Sequence, residues 1–128
     1  MMKQIIKTEK APAPIGPYNQ AVKAGDTIYL SGQIAIHPES GQLVTDNITA
    51  ETHQVMQNIK AILNASNITF EHVVKTTIFL SDMDLFTAVN EVYGSYFSGD
   101  YPARETIAVK GLPKNVDVEI SMIALQYL

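Results

Sequence analysis

The sequence predicts an α+β domain spanning residues 1–128, a single mixed β-sheet with two helices packed on one of its faces. Three observations lead there. Apolar residues recur at helical spacing in residues 49–66, and again from Ser81 to near Gly99. Short β-prone runs bounded by turn formers lie before, between and after those two stretches. In order they read as three strands, a helix, a strand, a helix and two strands.

Residues 3–8 form a short strand. Pro12, Pro14, Gly16 and Pro17 then rule out helix and interior strand, so residues 11–18 are a stiff extended loop that delivers Tyr18 to a defined place. Residues 20–23 and 27–31 are strands joined by a turn at Ala24-Gly25-Asp26. In Ser31-Gly32-Gln33, Gly32 either permits a bulge or lets a ligand approach the backbone closely. Residues 34–42 extend this strand into a loop punctuated by Pro38 and Gly41. The helix over residues 49–66 has Thr49 as N-cap and Glu51 in its first turn. Val55, Met56, Ile59, Ile62 and Leu63 make its apolar stripe, and Gln54, Gln57, Lys60 and Asn64 lie opposite.

Residues 73–80 are a strongly β-prone run. Ser81-Asp82-Met83-Asp84 caps the second helix, whose stripe of Phe86, Val89, Tyr93, Tyr96 and Phe97 belongs to the core. Asn90 sits at the edge of that stripe, either a surface amide or a polar group reaching a pocket. Residues 102–109 and 116–120 are alternating strands joined tightly through the turn formers of residues 111–115.

Composition narrows the classes. Hydrophobic residues are 46% and charged residues only 17%, low for a small chain that must solvate its own surface. A sheet with helices on one face also leaves its other face to be covered, and self-association covers it. The net charge is −4 and no basic run exceeds one residue, so the electrostatic footprint of a nucleic-acid binder is missing. Without cysteine there are no disulfides, thiolate nucleophiles or zinc knuckles. Neither a signal peptide nor a stretch of transmembrane length is evident, and a cytoplasmic protein is expected, with no membrane partner.

Two charges stand inside apolar strands. Arg104 opens the first of the last two strands, and Glu119 sits between Val118 and Ile120 in the second. Either both face solvent, or Arg104 grips a carboxylate while Glu119 handles a proton or a water. Arg offers a planar fork that matches a carboxylate, and a partly buried Glu exchanges protons nearer neutral pH. Other chemistries find no support. His37, His53 and His72 have no ligand spacing, no phosphate-binding loop or nucleophile elbow occurs, and Asp117 with Glu119 lacks the large cleft of a glycosidase.

The segments Ala13-Pro14-Ile15-Gly16-Pro17-Tyr18, Ser31-Gly32-Gln33-Ile34, Val74-Lys75-Thr76-Thr77, Val89-Asn90-Glu91-Val92-Tyr93, Pro102-Ala103-Arg104, Gly111-Leu112-Pro113-Lys114 and Val118-Glu119-Ile120 span nearly the whole chain. Together they resemble the RidA family, the YjgF-type reactive intermediate deaminases. The resemblance implies a chorismate-mutase-like α+β fold and a homotrimer with sites in the clefts between subunits. It implies hydrolysis of enamine/imine intermediates, such as 2-iminobutanoate and 2-iminopropanoate, to 2-oxo acids and ammonia, with no cofactor and no metal. By position, Arg104 would bind the substrate carboxylate and Glu119 would hold or activate the attacking water. Tyr18 would line the pocket, Asn90 would belong to the site, and the backbone at Ser31 and Gly32 would face the ligand.

Two positions depart from the family pattern. Thr106 stands where many members have cysteine, keeping a small donor in the pocket without a thiol. Ser121 stands where others have a second glutamate. Two further readings compete with the deaminase. A regulatory module would use Arg104 to hold a small carboxylate without turnover. An endoribonuclease, an activity associated with some relatives, is opposed by the acidic balance and the missing basic patch.

Overall fold

The structure is a computed structural model in which residues 2–127 are described. The strands are β1 (Gln4–Ile6), β2 (Ala21–Ala24), β3 (Thr27–Gln33), β4 (Val73–Leu80), β5 (Ala103–Ala108) and β6 (Val118–Leu125), and the helices are α1 (Ile48–Ala65) and α2 (Phe86–Gly94). The sheet order is β1-β2-β3-β6-β4-β5. Only the β4–β5 pair is parallel; the other neighbours run antiparallel. The α+β architecture and the element order are those the sequence predicts.

Alternation decides which face of the sheet is covered. Ile28 and Leu30 of β3, Ile78 and Leu80 of β4, and Val118, Ile120, Met122 and Ala124 of β6 are all buried against Val55, Met56, Ile59, Ile62 and Leu63 of α1 and Val89 and Tyr93 of α2. Burying each such large side chain contributes about 1.5–3 kcal/mol, so this layer dominates stability. The opposite face has no layer of its own. Tyr29, in β3, is 50% exposed there and Ile107, in β5, 45%.

Several boundaries differ from expectation, each for a local reason. Asn47, not Thr49, caps α1: its extended backbone lets Oδ1 accept from the Ala50 N–H at 2.8 Å, a contact of about 1 kcal/mol. α2 ends at Gly94 rather than near Gly99, because Ser95, Tyr96 and Phe97 donate three residues back in tightening turns. β6 continues beyond Ile120 to Leu125, paired on both sides by β3 and β4. The last two strands are not neighbours, since β4 lies between them. Both still hang from the end of β4, where Val109 N–H donates to Leu80 O at 2.9 Å and Ser81 N–H to Asp117 O at 3.0 Å.

Glu51 is the largest departure. Instead of decorating the first turn of α1 it is fully buried. One carboxyl oxygen accepts from Asp117 N–H at 2.7 Å and Val118 N–H at 3.0 Å, while the other has no partner. Burial raises its pKa above 4.5, against the pull of the two N–H groups. The native chain therefore keeps a proton that the unfolded chain has released. That stabilisation is complete below 4.5 and is lost as pH rises through the raised native value. Thermal melts of Glu51→Gln should show a weaker decline in Tm above that pH than wild type. Glu51→Ala, which strands two N–H groups, should lose about 2–4 kcal/mol. An unaltered pH profile in Glu51→Gln would contradict the account.

Candidate functional site

The site residues divide into two clusters on opposite faces of the sheet. In the β4–β5 ladder Arg104 pairs with Thr76, whose side chain is buried on the helix side. The Arg104 guanidinium accordingly lies over α2, 5.1 Å from the Tyr93 ring centroid and 5.7 Å from that of Phe86. Each contact contributes about 0.5–2 kcal/mol depending on desolvation. With Asn90, Tyr93, Gly94, Tyr101 and Pro102, Arg104 lines an open pocket of about 320 Å³. Among the described residues the only Lys or Arg ion pair is Lys75 with Glu105, at 3.3 Å. Among the described residues no ion pair engages the Arg104 guanidinium.

Glu119 occupies the other face. It alternates with buried Val118 and Ile120 and pairs across the ladder with Phe79. Its carboxyl lies directly over Gly32. A Cβ built there would run into Glu119 Oε2 and come within 2.9 Å of Cδ. The register of β3 against β6 shifts between Leu30 and Gln33, so the bulge foreseen for Gly32 occurs, and the group that comes close to its backbone is the Glu119 side chain. Pro12, Pro14, Ile15, Tyr18 and Pro113 join Gly32 and Glu119 around a cavity of about 40 Å³, space for about one water molecule. Burial raises the Glu119 pKa above 4.5.

The proline loop is held in place by a residue that sequence reading passed over. Gln20 is buried; its Nε2 donates to the carbonyls of Thr8, Ala11 and Pro12, and its Oε1 accepts from Thr8 N–H. Tyr18 is 44% exposed at the loop's end, its OH accepting from Ile15 N–H at 3.3 Å. Ser31 is committed to the same framework, its hydroxyl donating to Asn19 O at 2.6 Å.

Within one chain the structure joins Arg104 with Asn90, and Glu119 with Tyr18 and Gly32, but it does not bring Arg104 and Glu119 together. Thr106 is on the Arg104 side, two residues along β5, with its hydroxyl buried and without a partner. Tyr93 and Phe86, read from sequence as core alone, also form the seat of Arg104. Of three larger grooves, about 790 Å³ beside Tyr96 and Glu71, about 600 Å³ along the proline loop beside Pro14 and Gln20, and about 530 Å³ beside His37 and Asn58, none contains Arg104, Asn90, Glu119 or Tyr18. Among the described residues no group of three or more His, Asp or Glu is placed to hold a metal ion. None of the described helices is long and apolar enough to cross a membrane.

Known proteins resemble the chain throughout its length. The family described as Endoribonuclease L-PSP matches residues 8–126. A protein of Mus musculus named 2-iminobutanoate/2-iminopropanoate deaminase is 48% identical over 126 residues, 98% of this chain and 93% of its own. The crystal structure of RidA from an Antarctic Psychrobacter superposes with a TM-score of 0.92 at 43% identity, covering 95% of this chain and 98% of that one. The structure of E. coli TdcF with bound serine gives a TM-score of 0.91 at 36% identity, with coverage of 95% and 98%.

The Gly32–Glu119 contact makes a direct prediction. Gly32→Ala should drive the carboxyl from its cavity into water, moving its titration midpoint back toward 4.5 in carbon-detected NMR of the side chain. An unmoved midpoint would mean that Gly32 does not make room for Glu119.

Proposed function

Because the chain belongs to the Endoribonuclease L-PSP family, with proteins named RidA, YjgF gene product and 2-iminobutanoate/2-iminopropanoate deaminase, we propose that it hydrolyses reactive enamine/imine intermediates to 2-oxo acids and ammonia. Its substrates are 2-iminobutanoate and 2-iminopropanoate, and it works as a cytoplasmic homotrimer. The observation that carries this reading is a guanidinium and a partly buried carboxyl, each left without an ionic partner among the described residues. The serine bound to TdcF is likewise a small α-carboxylate.

The chemistry needs little beyond placement. Arg104 takes the substrate carboxylate in its fork, with Asn90 beside it. A water in the Glu119 cavity then adds to the imine carbon. Its oxygen forms the C–O bond while Glu119 takes a proton and passes it to nitrogen. The carbinolamine then gives up its hydroxyl proton, which Glu119 passes to the amine as C–N breaks, the C=O bond forms, ammonia leaves and the oxo acid remains. An enamine enters the same route after gaining a proton on carbon. General acid–base help of this kind supplies about 10²–10⁴ in rate. No residue in this scheme requires a cofactor.

Since Arg104 and Glu119 occupy opposite faces of one sheet, the working site takes one from each of two subunits. The bare sheet face, with Tyr29 and Ile107 exposed, is the surface a neighbouring copy covers. RNA cleavage, which the family description suggests, finds no support in a chain of net charge −4. Each histidine ring is engaged locally: His37 with Glu39 and Ser40, His53 with Tyr96, and His72 with Thr69.

The test couples the protein to a threonine dehydratase and follows 2-oxobutanoate release. Arg104→Ala should reduce kcat/KM about 10–150-fold, and Arg104→Lys should fail to restore it because the fork is lost. Glu119→Gln should lower kcat by about 10²–10⁴ while binding 2-oxobutanoate normally; turnover retained in that variant would remove Glu119 from the chemistry, and a wild type that binds 2-oxobutanoate without any turnover would favour a carboxylate-binding module. The wild-type rate should fall on acidification at a pH above 4.5, as the Glu119 carboxylate takes up its proton.

A further inference from the structure

Arg104 does not hold itself in place. It lies at the edge of the sheet, where a long side chain has many rotamers. Beyond the strand its guanidinium lies over the faces of Tyr93 and Phe86. Tyr93 is buried to 4% exposure, and its hydroxyl donates to Thr76 Oγ1 at 2.9 Å. Thr76 is itself fully buried and is the β4 residue in register with Arg104 on β5. The three residues close a loop: the ladder fixes Arg104 Cα beside Thr76, Thr76 fixes the Tyr93 ring, and that ring carries the guanidinium.

We propose that Tyr93 is the positioning residue of the carboxylate site, orienting Arg104 through its ring face and held in turn by Thr76, with Phe86 as a second and weaker support. The inference rests on the reading of Arg104 as the carboxylate ligand. A ring face attracts the cation without consuming its N–H groups. A carboxylate partner would do the opposite, neutralising the guanidinium and occupying its fork. An aromatic seat therefore leaves the charge and donors free for a carboxylate while removing rotamers that binding would otherwise have to freeze. The phenol stays neutral in this role: burial raises its pKa, against the influence of the Thr76 bond and the Arg104 charge.

The experiment compares binding of 2-oxobutanoate with that of the uncharged 2-oxobutanamide by calorimetry, alongside steady-state kinetics. Tyr93→Leu should weaken 2-oxobutanoate about 5–30-fold, the equivalent of one desolvated cation–π contact. Affinity for the amide should not change, KM for the imino acid should rise to match, and kcat should stay within about twofold. Phe86→Leu should act in the same direction and less strongly. Tyr93→Phe, which keeps the ring face but loses the bond to Thr76 that fixes it, should weaken carboxylate affinity clearly less than Tyr93→Leu does. Pentafluorophenylalanine at position 93 preserves ring shape but reverses its quadrupole, so it should behave like Tyr93→Leu even if the leucine variant folds poorly.

A purely structural tyrosine would weaken both ligands equally, and that result overturns the proposal. So does full carboxylate affinity with the fluorinated ring. If Arg104→Ala itself leaves 2-oxobutanoate affinity unchanged, the reading of Arg104 has failed instead. If Arg104→Ala weakens it and Tyr93→Leu does not, only the positioning role has failed.

Discussion

Strand alternation against a single helical layer is the constraint on which the site depends. Val118 and Ile120 must face the helices, so Glu119 between them cannot. Arg104 is in register with Thr76, which faces the helices, so Arg104 does too. The apolar core thereby assigns the two reactive groups to opposite faces before any ligand is considered. A one-residue slip of β6 would turn Glu119 into the core, at a cost far above that of a surface substitution, and a slip of β5 would carry Arg104 off its aromatic seat onto the bare face. The same packing that stabilises the domain keeps one chain from supplying both groups to the proposed site.

Each half-site solves a different electrostatic problem. The helix side must keep a cation charged, oriented and unpaired, and aromatic faces do so without occupying its donors. The bare side must keep a carboxyl partly dry, so that it exchanges protons nearer neutrality. Gly32 allows the carboxyl to sink against the backbone, and the proline loop roofs it. Behind Glu119, Glu51 holds the first N–H groups of β6 from inside the core, across a separation of 66 residues. The two glutamates are raised by the same cause, desolvation, but one is bonded to the backbone inside the core and the other lines a small cavity on the bare face.

Much of this was legible in the residues, and what was not has a consistent physical character. The stripe of Val55, Met56, Ile59, Ile62 and Leu63 announced α1 because helical spacing is a local property. Arg104, Glu119 and Gly32 stood out because a charge or a glycine inside an apolar strand breaks a local rule. Register is not local. That β4 separates β5 from β6 follows from the α2 crossover and the parallel β4–β5 pair, which periodicity does not reveal. The division of Arg104 from Glu119 between faces was invisible for the same reason. Tyr93 was correctly read as core, but its second role required knowing which side chain would lie over it. Asn47 displaced Thr49 because capping depends on where the backbone turns extended, not only on residue type.

The most direct test of this arrangement mixes two impaired proteins. Arg104→Ala and Glu119→Ala chains, unfolded together in equal amounts and refolded, should regain about a quarter of wild-type turnover if each site draws its guanidinium and its carboxyl from different subunits at random. Each variant refolded alone should stay well below that level, Arg104→Ala by about 10–150-fold and Glu119→Ala by about 10²–10⁴ relative to wild type. A mixture as inactive as its components, in oligomers shown to contain both chains, would contradict the claim that Arg104 and Glu119 meet only across a subunit boundary.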